Sequence, residues 1–244
     1  MRPPRCNKIL PQNLSCSKAL SEGNLKRSNY LIMGQETFFV VATNPMNNQL
    51  KNSVQQVVSG KTPFVLVGKE HVDPPRIVFP GSFNPLHAGH RTIASVAEKI
   101  IGGPLFYEIS IDNVDKPSLS TADVVRRVNQ FDANDTVAIT QSVTFDKKAI
   151  LFPGTIFAVG IDTLNRIGDT RYYDASGEES AEKRMQLAID QIAHTGCRML
   201  TFGRKINHVF CNLEDISIPA ALRQLCQSVP ESLCREDISS SELR

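Results

Sequence analysis

The chain has 244 residues, with 27 basic and 25 acidic side chains, and 41% of its residues are hydrophobic. This composition predicts a globular protein with a buried core, and the near balance of charge argues against a nucleic-acid or membrane partner held by an overall electric field. The apolar runs are far shorter than the roughly 20 residues that a membrane-spanning helix requires.

Six cysteines occur without a Cys-x-x-Cys pair, which favours free thiols in a reducing compartment over a disulfide framework. The first 21 residues contain several basic residues and no acid, a composition typical of organelle transit peptides. Pro3, Pro4 and Pro11 disfavour the amphipathic helix that such peptides form. We therefore expect a cytoplasmic protein, with organelle targeting left open.

The first 75 residues are predicted to contain a small αβ unit. Thr37–Ala42 and Phe64–Val67 read as strands, and Leu50, Val54, Val57 and Val58 recur at helical spacing between them. A double proline then enforces extended backbone, so a domain boundary is predicted after residue 75. The pattern leaves open whether residues 1–75 form an independent lobe, an extension packed on the main domain, or the remnant of a longer domain.

Residues 76–244 alternate short apolar runs with amphipathic helical patterns, which is typical of βα units and a mainly parallel sheet. Helices are predicted around Ile93 and Ala97, behind a start signal at Ser120, and ending near Gly196. The fold class is therefore a Rossmann-like α/β domain with the N-terminal αβ extension. The predicted strands are Ile77–Phe79, Leu105–Ile111, Thr136–Thr140, Ile156–Val159 and Met199–Phe202.

The segment from Pro80 to His90 follows the first of these strands and leads directly into a helix. It therefore lies at a strand carboxyl end, where α/β sheets bind ligands. Gly81 allows backbone N–H groups to approach oxygens closely, and Gly89 removes a side chain beside the helix start. His87 and His90 lie three residues apart, so on a first helical turn they share one face and address one phosphate.

The His-x-x-His spacing alone also fits local hydrogen bonding, and it fits a zinc-type site poorly because no further ligands stand at regular offsets nearby. The combination of strand, glycine turn, His87-Ala88-Gly89-His90 and helix resembles the nucleotidylyltransferase superfamily, whose signature is (His/Thr)-x-Gly-His after the first strand. The resemblance implies that His87 and His90 are catalytic. It also implies a nucleotide-binding turn, made of Gly81, Ser82, Phe83, Asn84 and Gly89.

A second element stands at the end of the chain. Residues 238–244, Ile-Ser-Ser-Ser-Glu-Leu-Arg, resemble the Ile-Ser-Ser-Thr/Ser-x-x-Arg element of mononucleotide and phosphopantetheine adenylyltransferases. By this resemblance Ser239, Ser240 and Arg244 hold the outer phosphates, and such a set of hydroxyls, N–H groups and a guanidinium suits polyphosphate. Read alone, the serines are an N-cap signal. The departure is that Arg244 is the last residue given, which puts its grip on the nucleotide in doubt.

Weaker matches lie between the two elements. Gly160 and Asp162 resemble the strand-Gly-x-Asp-x-Leu segment of mononucleotide adenylyltransferases, which implies nucleotide contact, although Asp162 also fits a helix cap. Arg204 follows another predicted strand, where the family often has a phosphate-binding arginine, and a solvated turn charge is the alternative. Lys116 follows the second strand of the domain and is a candidate for the acceptor phosphate, against a surface lysine.

By resemblance, the chain transfers the nucleoside monophosphate of ATP or CTP to a phosphorylated small molecule and releases pyrophosphate. The form of the motifs favours ATP, with nicotinate or nicotinamide mononucleotide as acceptor ahead of phosphopantetheine; cytidylyl transfer is the further alternative. Mg²⁺ is expected to bridge phosphate oxygens, held mostly by substrate and water, so no metal-binding residue is predicted. The oligomeric state is not predicted.

Rivals from other classes remain open. The same domain without catalysis would be a nucleotide-binding protein. A class I aminoacyl-tRNA synthetase relative lacks support, since the sequence has no Lys-Met-Ser-Lys-like loop and no basic tRNA-binding domain. A dinucleotide-dependent oxidoreductase is disfavoured because no Gly-x-Gly-x-x-Gly follows a predicted strand.

Overall fold

The structure, a computed structural model, describes residues 47–69, 73–114, 117–173, 179–207 and 209–235, together with the backbone of three short strands before residue 47. Residues 38–40 of the predicted strand Thr37–Ala42 lie outside the described residues. In the part of the chain that is described, no helix is long and apolar enough to cross a membrane.

Twelve strands and seven α-helices make up the described elements. The strands are β1 Tyr30–Ile32, β2 Gln35–Thr37, β3 Val41–Ala42, β4 Phe64–Gly68, β5 Ile77–Pro80, β6 Leu105–Ser110, β7 Thr136–Thr140, β8 Ile156–Gly160, β9 Arg198–Phe202, β10 Arg204–Ile206, β11 Val209–Cys211 and β12 Cys226–Ser228. The helices are α1 Asn47–Val58, α2 Ala88–Ile101, α3 Thr121–Val128, α4 Phe145–Leu151, α5 Ile161–Ile167, α6 Ala181–His194 and α7 Ala220–Arg223. Two short 3₁₀ helices span Thr170–Tyr173 and Leu213–Asp215.

Eight strands form one sheet in the order β12-β9-β8-β5-β6-β7-β4-β3. The six strands from β12 to β7 are parallel to their neighbours, while β4 pairs antiparallel with β7 and β3 runs parallel to β4. The predicted Rossmann-like α/β fold is therefore confirmed. Because β6 and β8 lie on opposite sides of β5, the order in which strands are added to the sheet reverses at β5.

Helices cover both faces of the sheet, and alternate strand residues supply the two cores. On one face, Phe79 and Tyr107 pack in a cluster with the buried residues of α1, α2 and α3. On the other face, Val78, Phe106 and Phe157 pack with α4, α5 and α6. This burial on both faces explains why the strands read as continuous apolar runs in the sequence.

Two predicted helix boundaries match the backbone. The Ser120 hydroxyl caps α3 by accepting a hydrogen bond from the Asp123 N–H at 3.1 Å. Gly196 follows the end of α6 with a φ of 76°, a left-handed conformation that suits glycine at a helix end. The sequence signals therefore predicted the start of α3 and the end of α6 correctly.

The segment before residue 75 adds to the sheet of the main domain. Every residue of β4 is paired with a residue of β7, from Phe64 opposite Thr140 to Gly68 opposite Thr136. α1 buries its apolar stripe in the same core as α3. The division of the chain at residue 75 stays a prediction, but α1 and β4 have no core separate from the one they share with the domain.

Truncation of Leu50 tests this shared core. Leu50 is fully buried, so Leu50→Ala is expected to lower the free energy of unfolding of the whole chain by about 2–5 kcal/mol. The matched control is Leu187→Ala on α6, where the side chain is 51% exposed and the loss should be far smaller. Denaturant unfolding followed by circular dichroism measures both. An unchanged main transition for Leu50→Ala would show that α1 is not part of the cooperative unit.

Candidate functional site

The turn after β5 is built around Gly81. The Gly81 N–H donates to the carbonyl of Glu108 in β6 at 2.9 Å, which continues the strand pairing by one residue. A Cβ atom at this position would lie 2.6 Å from the Phe83 ring, closer than carbon atoms approach. A side chain at residue 81 would therefore push the ring out of place, and the bare backbone remains open to a ligand.

Phe83 anchors the turn in the core. Its ring is fully buried, its φ is 42°, and it lies edge-on to Phe79, Tyr107 and Phe131 with ring centroids 5.2–5.5 Å apart. Such edge-to-face contacts between buried rings are favourable. The predicted nucleotide contact of Phe83 is therefore restricted to its backbone, because its side chain is buried in the core beneath the sheet-facing side of the turn and is not accessible to a ligand.

Two arginines of α3 hold the outer side of the same turn. Arg127 donates to the Ser82 carbonyl at 2.8 Å, and Arg126 donates to the Asn84 Oδ1 at 2.9 Å. The predicted residues Ser82 and Asn84 thus use a carbonyl and an amide oxygen for structure. The Ser82 N–H and hydroxyl are the groups that these two hydrogen bonds leave for a ligand.

The two predicted catalytic histidines lie side by side at the start of α2, on either side of the buried Gly89. His87 is the N-cap residue and His90 the third residue of the helix; their rings are stacked with centroids 3.8 Å apart and an interplanar angle of 29°. The His87 N–H donates to the His90 Nδ1 at 3.3 Å. Because Nδ1 accepts, a neutral His90 carries its proton on Nε2.

Burial, together with charge repulsion from the nearby His87 and Arg91, lowers the pKa of His90 from its ordinary value of 6.5 to about 4. His90 is therefore neutral at pH 7. A neutral imidazole stabilises negative charge by donating a hydrogen bond rather than by carrying a positive charge. The site thus offers an Nε2–H donor at the positive end of a fourteen-residue helix.

Arg91 ties the same turn of α2 to the loop before β7. Its guanidinium donates to both carboxylate oxygens of Asp135, at 2.7 and 2.6 Å, and to Asp132 at 3.0 Å. The guanidinium also lies over the rings of Tyr107 and Phe131. Pairing with two carboxylates and contact with two aromatic rings fix the guanidinium, so Arg91 helps to orient the first turn of α2.

The other predicted nucleotide contacts lie at the carboxyl ends of neighbouring strands. Gly160 ends β8 and is the N-cap of α5, and β8 pairs directly with β5. Asp162 in the first turn of α5 forms an ion pair with Arg204, which follows β9, and both side chains are about half exposed. The structure therefore brings Gly160, Asp162 and Arg204 to the same edge of the sheet as Gly81.

The remaining site predictions lie outside the described residues. Lys116, Ser239, Ser240 and Arg244 are all in this group, so their roles stay predictions. Within the described ranges, no group of three or more His, Cys, Asp or Glu side chains is arranged to hold a metal ion.

A cavity of about 340 Å³ opens beside the glycine turn, in the size range of small-molecule sites. Gly81 and Ser82 form part of its wall, whereas His87 and His90 do not line it. The cavity therefore meets the histidine site only through the turn. The other wall residues include Glu108, Ser110, Asp112, Arg127, Phe145, Lys148, Thr163, Arg166, Tyr172 and Tyr173.

A buried ion pair in the cavity wall was not predicted. The Lys148 Nζ lies 2.7 Å from the Glu108 Oε1, and the two side chains are 5% and 1% exposed. Lys148 also donates to the Ser142 carbonyl at 2.6 Å, and the Thr140 hydroxyl donates to Glu108 Oε1 at 2.5 Å. The available signal was Glu108 itself, an acid in the middle of an apolar predicted strand.

A family model described as cytidylyltransferase-like matches residues 78–244. The chain belongs to the cytidylyltransferase-like family. This family lies within the nucleotidylyltransferase superfamily, so the resemblance recognised from the two sequence elements is confirmed, and family members are typically nucleotidyltransferases. Among curated proteins, none matches the chain at a significant level.

Titration of His90 tests the electrostatics of the histidine site in this cytidylyltransferase-like domain. We expect an NMR titration to show His90 protonating near pH 4, and its spectrum at pH 7 to be that of the Nε2–H tautomer. The His90→Gln variant identifies the signal among the five histidines. A midpoint near 6.5 would show that His90 is neither buried nor coupled to His87 as described.

The same shift predicts a pH dependence of stability. The folded pKa lies below the unfolded one, so between pH 6.5 and pH 4 the unfolded chain binds the proton more readily. The contribution of His90 to stability is therefore complete above pH 6.5 and is lost as the pH falls toward 4. Wild-type chain should lose more stability on acidification than His90→Gln, as measured by denaturant unfolding; parallel pH profiles would contradict the shift.

The buried ion pair gives a separate stability prediction. Lys148→Met leaves the Glu108 carboxylate buried without its partner and should cost about 3–5 kcal/mol. Combining it with Glu108→Gln removes the uncompensated charge, so the double variant should be more stable than Lys148→Met alone. Chemical denaturation measures the cycle. Equal stabilities of the single and double variants would show that the pair is not buried.

Proposed function

We propose that the protein is a nucleotidylyltransferase that transfers AMP from ATP to a phosphorylated small molecule and releases pyrophosphate. The observation that carries the proposal is the position of Gly81, His87 and His90 at the carboxyl end of β5. This strand lies at the point where the chain order of the sheet reverses, and ligands of open α/β sheets bind in the crevice at such a point.

The triphosphate is proposed to bind along the turn and the start of α2. The Ser82 N–H and the N–H groups of Ala88 and Gly89 at the start of α2 are proposed to contact it, and the helix dipole favours negative charge there. Gly160 and the exposed Asp162–Arg204 pair, on the neighbouring strands, are proposed to bound the nucleoside end of the same crevice. Ser239, Ser240 and Arg244 are proposed to hold the outgoing pyrophosphate, by family resemblance.

The chemistry proposed is in-line attack by an acceptor phosphate oxygen on the α-phosphorus, with the bond to the pyrophosphate oxygen breaking. The protein contributes by positioning the reactants and by stabilising charge on the phosphate oxygens. His90 acts as a neutral Nε2–H donor, which suits its lowered pKa, and His87 stacked on it is proposed to act on a neighbouring oxygen. Neither histidine is required to accept a proton.

The acceptor is proposed to occupy the cavity beside the turn. The cavity shares Gly81 and Ser82 with the triphosphate site, so an acceptor phosphate near this end would lie next to the α-phosphate. Arg127 and Arg166 in the wall are cations suited to the acceptor phosphate. Lys116, which the sequence predicts for the same role, lies outside the described residues.

Mg²⁺ is proposed to enter as part of the substrate, bound to the triphosphate oxygens and to water. Among the described residues, no group of three or more His, Cys, Asp or Glu side chains is arranged to hold a metal ion. No step is assigned to a metal fixed by these residues. Mg²⁺ commonly binds through substrate phosphates in enzymes of this kind of chemistry.

The nucleotide and the acceptor are the finer parts of the proposal. The form of the Gly81–His90 turn and of the C-terminal serines favours ATP, with nicotinate or nicotinamide mononucleotide as acceptor. Phosphopantetheine adenylylation and cytidylyl transfer are the alternatives. The reaction test therefore offers ATP and CTP, each with a panel of phosphorylated acceptors.

Pyrophosphate release by the purified chain is the test of the reaction. With MgATP and a suitable acceptor we expect acceptor-dependent release, and His90→Ala should lower kcat/KM about 100-fold or more because one charge-stabilising donor is lost. The matched control is His194→Ala, at the exposed end of α6, which should leave the rate unchanged.

The alternatives give different results in the same assay. Release with CTP in place of ATP would support the cytidylyl reading. ATP binding without release for any acceptor would favour a non-catalytic nucleotide-binding protein. Equal loss of activity in His90→Ala and His194→Ala would argue against a specific role of the helix start.

A further inference from the structure

The cavity contains a charge pair that the proposed phosphate chemistry does not use. Glu108 and Lys148 both line it, yet each side chain is at least nine-tenths buried. Burying two charges is costly, and replacement by apolar residues is often neutral or stabilising. A buried pair in the wall of a cavity therefore calls for a role beyond stability.

The hydrogen bonds of the pair are incomplete on the carboxylate side. Glu108 Oε1 accepts from both Thr140 and Lys148. Glu108 Oε2 accepts no hydrogen bond from the residues that the structure describes, although the side chain is 1% exposed. Because Glu108 lines the cavity, a carboxylate oxygen without a protein donor favours a ligand that brings an N–H or O–H group.

The ammonium group of Lys148, in the same pair, can donate a hydrogen bond to a ligand. Lys148 Nζ has three protons, of which one goes to Glu108 and one to the Ser142 carbonyl. The third proton has no acceptor among the residues described here. The pair thus presents one acceptor and one donor side by side, with its charges balanced.

A carboxamide is complementary to this arrangement. Its NH₂ group donates to Glu108 Oε2 while its carbonyl accepts from Lys148 Nζ. A carboxylate in the same place has no proton to donate and would face the charge of Glu108, and an ammonium group would face the charge of Lys148. A site built to hydrogen-bond a donor rejects strongly an analogue that lacks it.

We infer that Glu108 and Lys148 determine acceptor specificity, by selecting an acceptor that carries an uncharged carboxamide over one that carries a carboxylate. The inference rests on the proposed function, since it places the acceptor in this cavity. Glu108 and Lys148 are specificity residues that contact the acceptor body, whereas the reacting phosphate lies toward Gly81.

Binding of two closely matched probes tests the inference. Nicotinamide mononucleotide and nicotinate mononucleotide differ in a carboxamide against a carboxylate, and isothermal titration calorimetry on the full chain measures the affinity of each. We expect the nicotinamide form to bind at least about tenfold more tightly, because one charged hydrogen bond is gained and one repulsion avoided. Equal binding, tighter binding of the nicotinate form, or no binding of either overturns the inference.

Variants assign the selectivity to the pair. Glu108→Gln keeps the shape of the side chain and removes its charge, so the preference should fall to within about threefold, mainly through tighter binding of the nicotinate form. The matched control is Asp112→Asn, which removes another carboxylate of the cavity wall and should leave the ratio unchanged. An equal loss of preference in both variants would mean that overall cavity charge, not the pair, selects the acceptor.

Failure of the proposed reaction and failure of the specificity role give different experimental results. If the nicotinamide form binds selectively but no pyrophosphate is released with MgATP, the proposed reaction is contradicted and the assignment of the pair stands. If both mononucleotides support release with equal kcat/KM, the reaction stands and the specificity role of Glu108 and Lys148 is overturned. Should Glu108→Gln fail to fold, the wild-type ratio still decides whether the cavity prefers the carboxamide, and equal binding of the two probes overturns the inference.

Discussion

The reversal of strand order at β5 is the constraint on which the site depends. β6 lies on one side of β5 and β8 on the other, so the connections that follow them diverge and leave a crevice at the carboxyl edge. Gly81 opens onto this crevice, and its N–H is fixed to Glu108 of the neighbouring strand. One strand pair therefore sets the position of the glycine turn, the start of α2 and one wall of the cavity.

The two parts of the site handle charge in different ways. At the start of α2, burial and a neighbouring histidine keep His90 neutral, so the helix end presents oriented N–H donors instead of a cation. In the cavity, Lys148 balances the carboxylate of Glu108 and leaves hydrogen-bonding capacity on both groups. The first arrangement suits a polyphosphate, and the second suits an uncharged polar group. They meet at Gly81 and Ser82, where the proposed transfer between two phosphates requires its reactants to meet.

Much of the fold followed from the sequence, because its signals are local. Apolar runs and helical spacing gave the central strands and α1, α2, α3 and α6, and the Gly81–His90 motif gave the histidine site together with the family. The sequence did not reveal that β4 joins the sheet beside β7, since strand order depends on contacts between distant segments. The Glu108–Lys148 pair joins residues 40 apart on a strand and a helix, so only Glu108 was visible as an anomaly. The burial of Phe83 also depends on rings from three other elements.

A nucleoside triphosphate is proposed to bind with its phosphates along the turn after β5 and the first turn of α2. Backbone amide chemical shifts of the full chain, recorded with and without the Mg²⁺ complex of a non-hydrolysable ATP analogue, test it most directly. We expect the largest saturable changes at Gly81, Ser82, Gly89 and His90, with amides of α1 and α6 unaffected. Saturable binding that leaves Gly81 and His90 unchanged would contradict the account, as would the absence of binding for both the ATP and the CTP analogue.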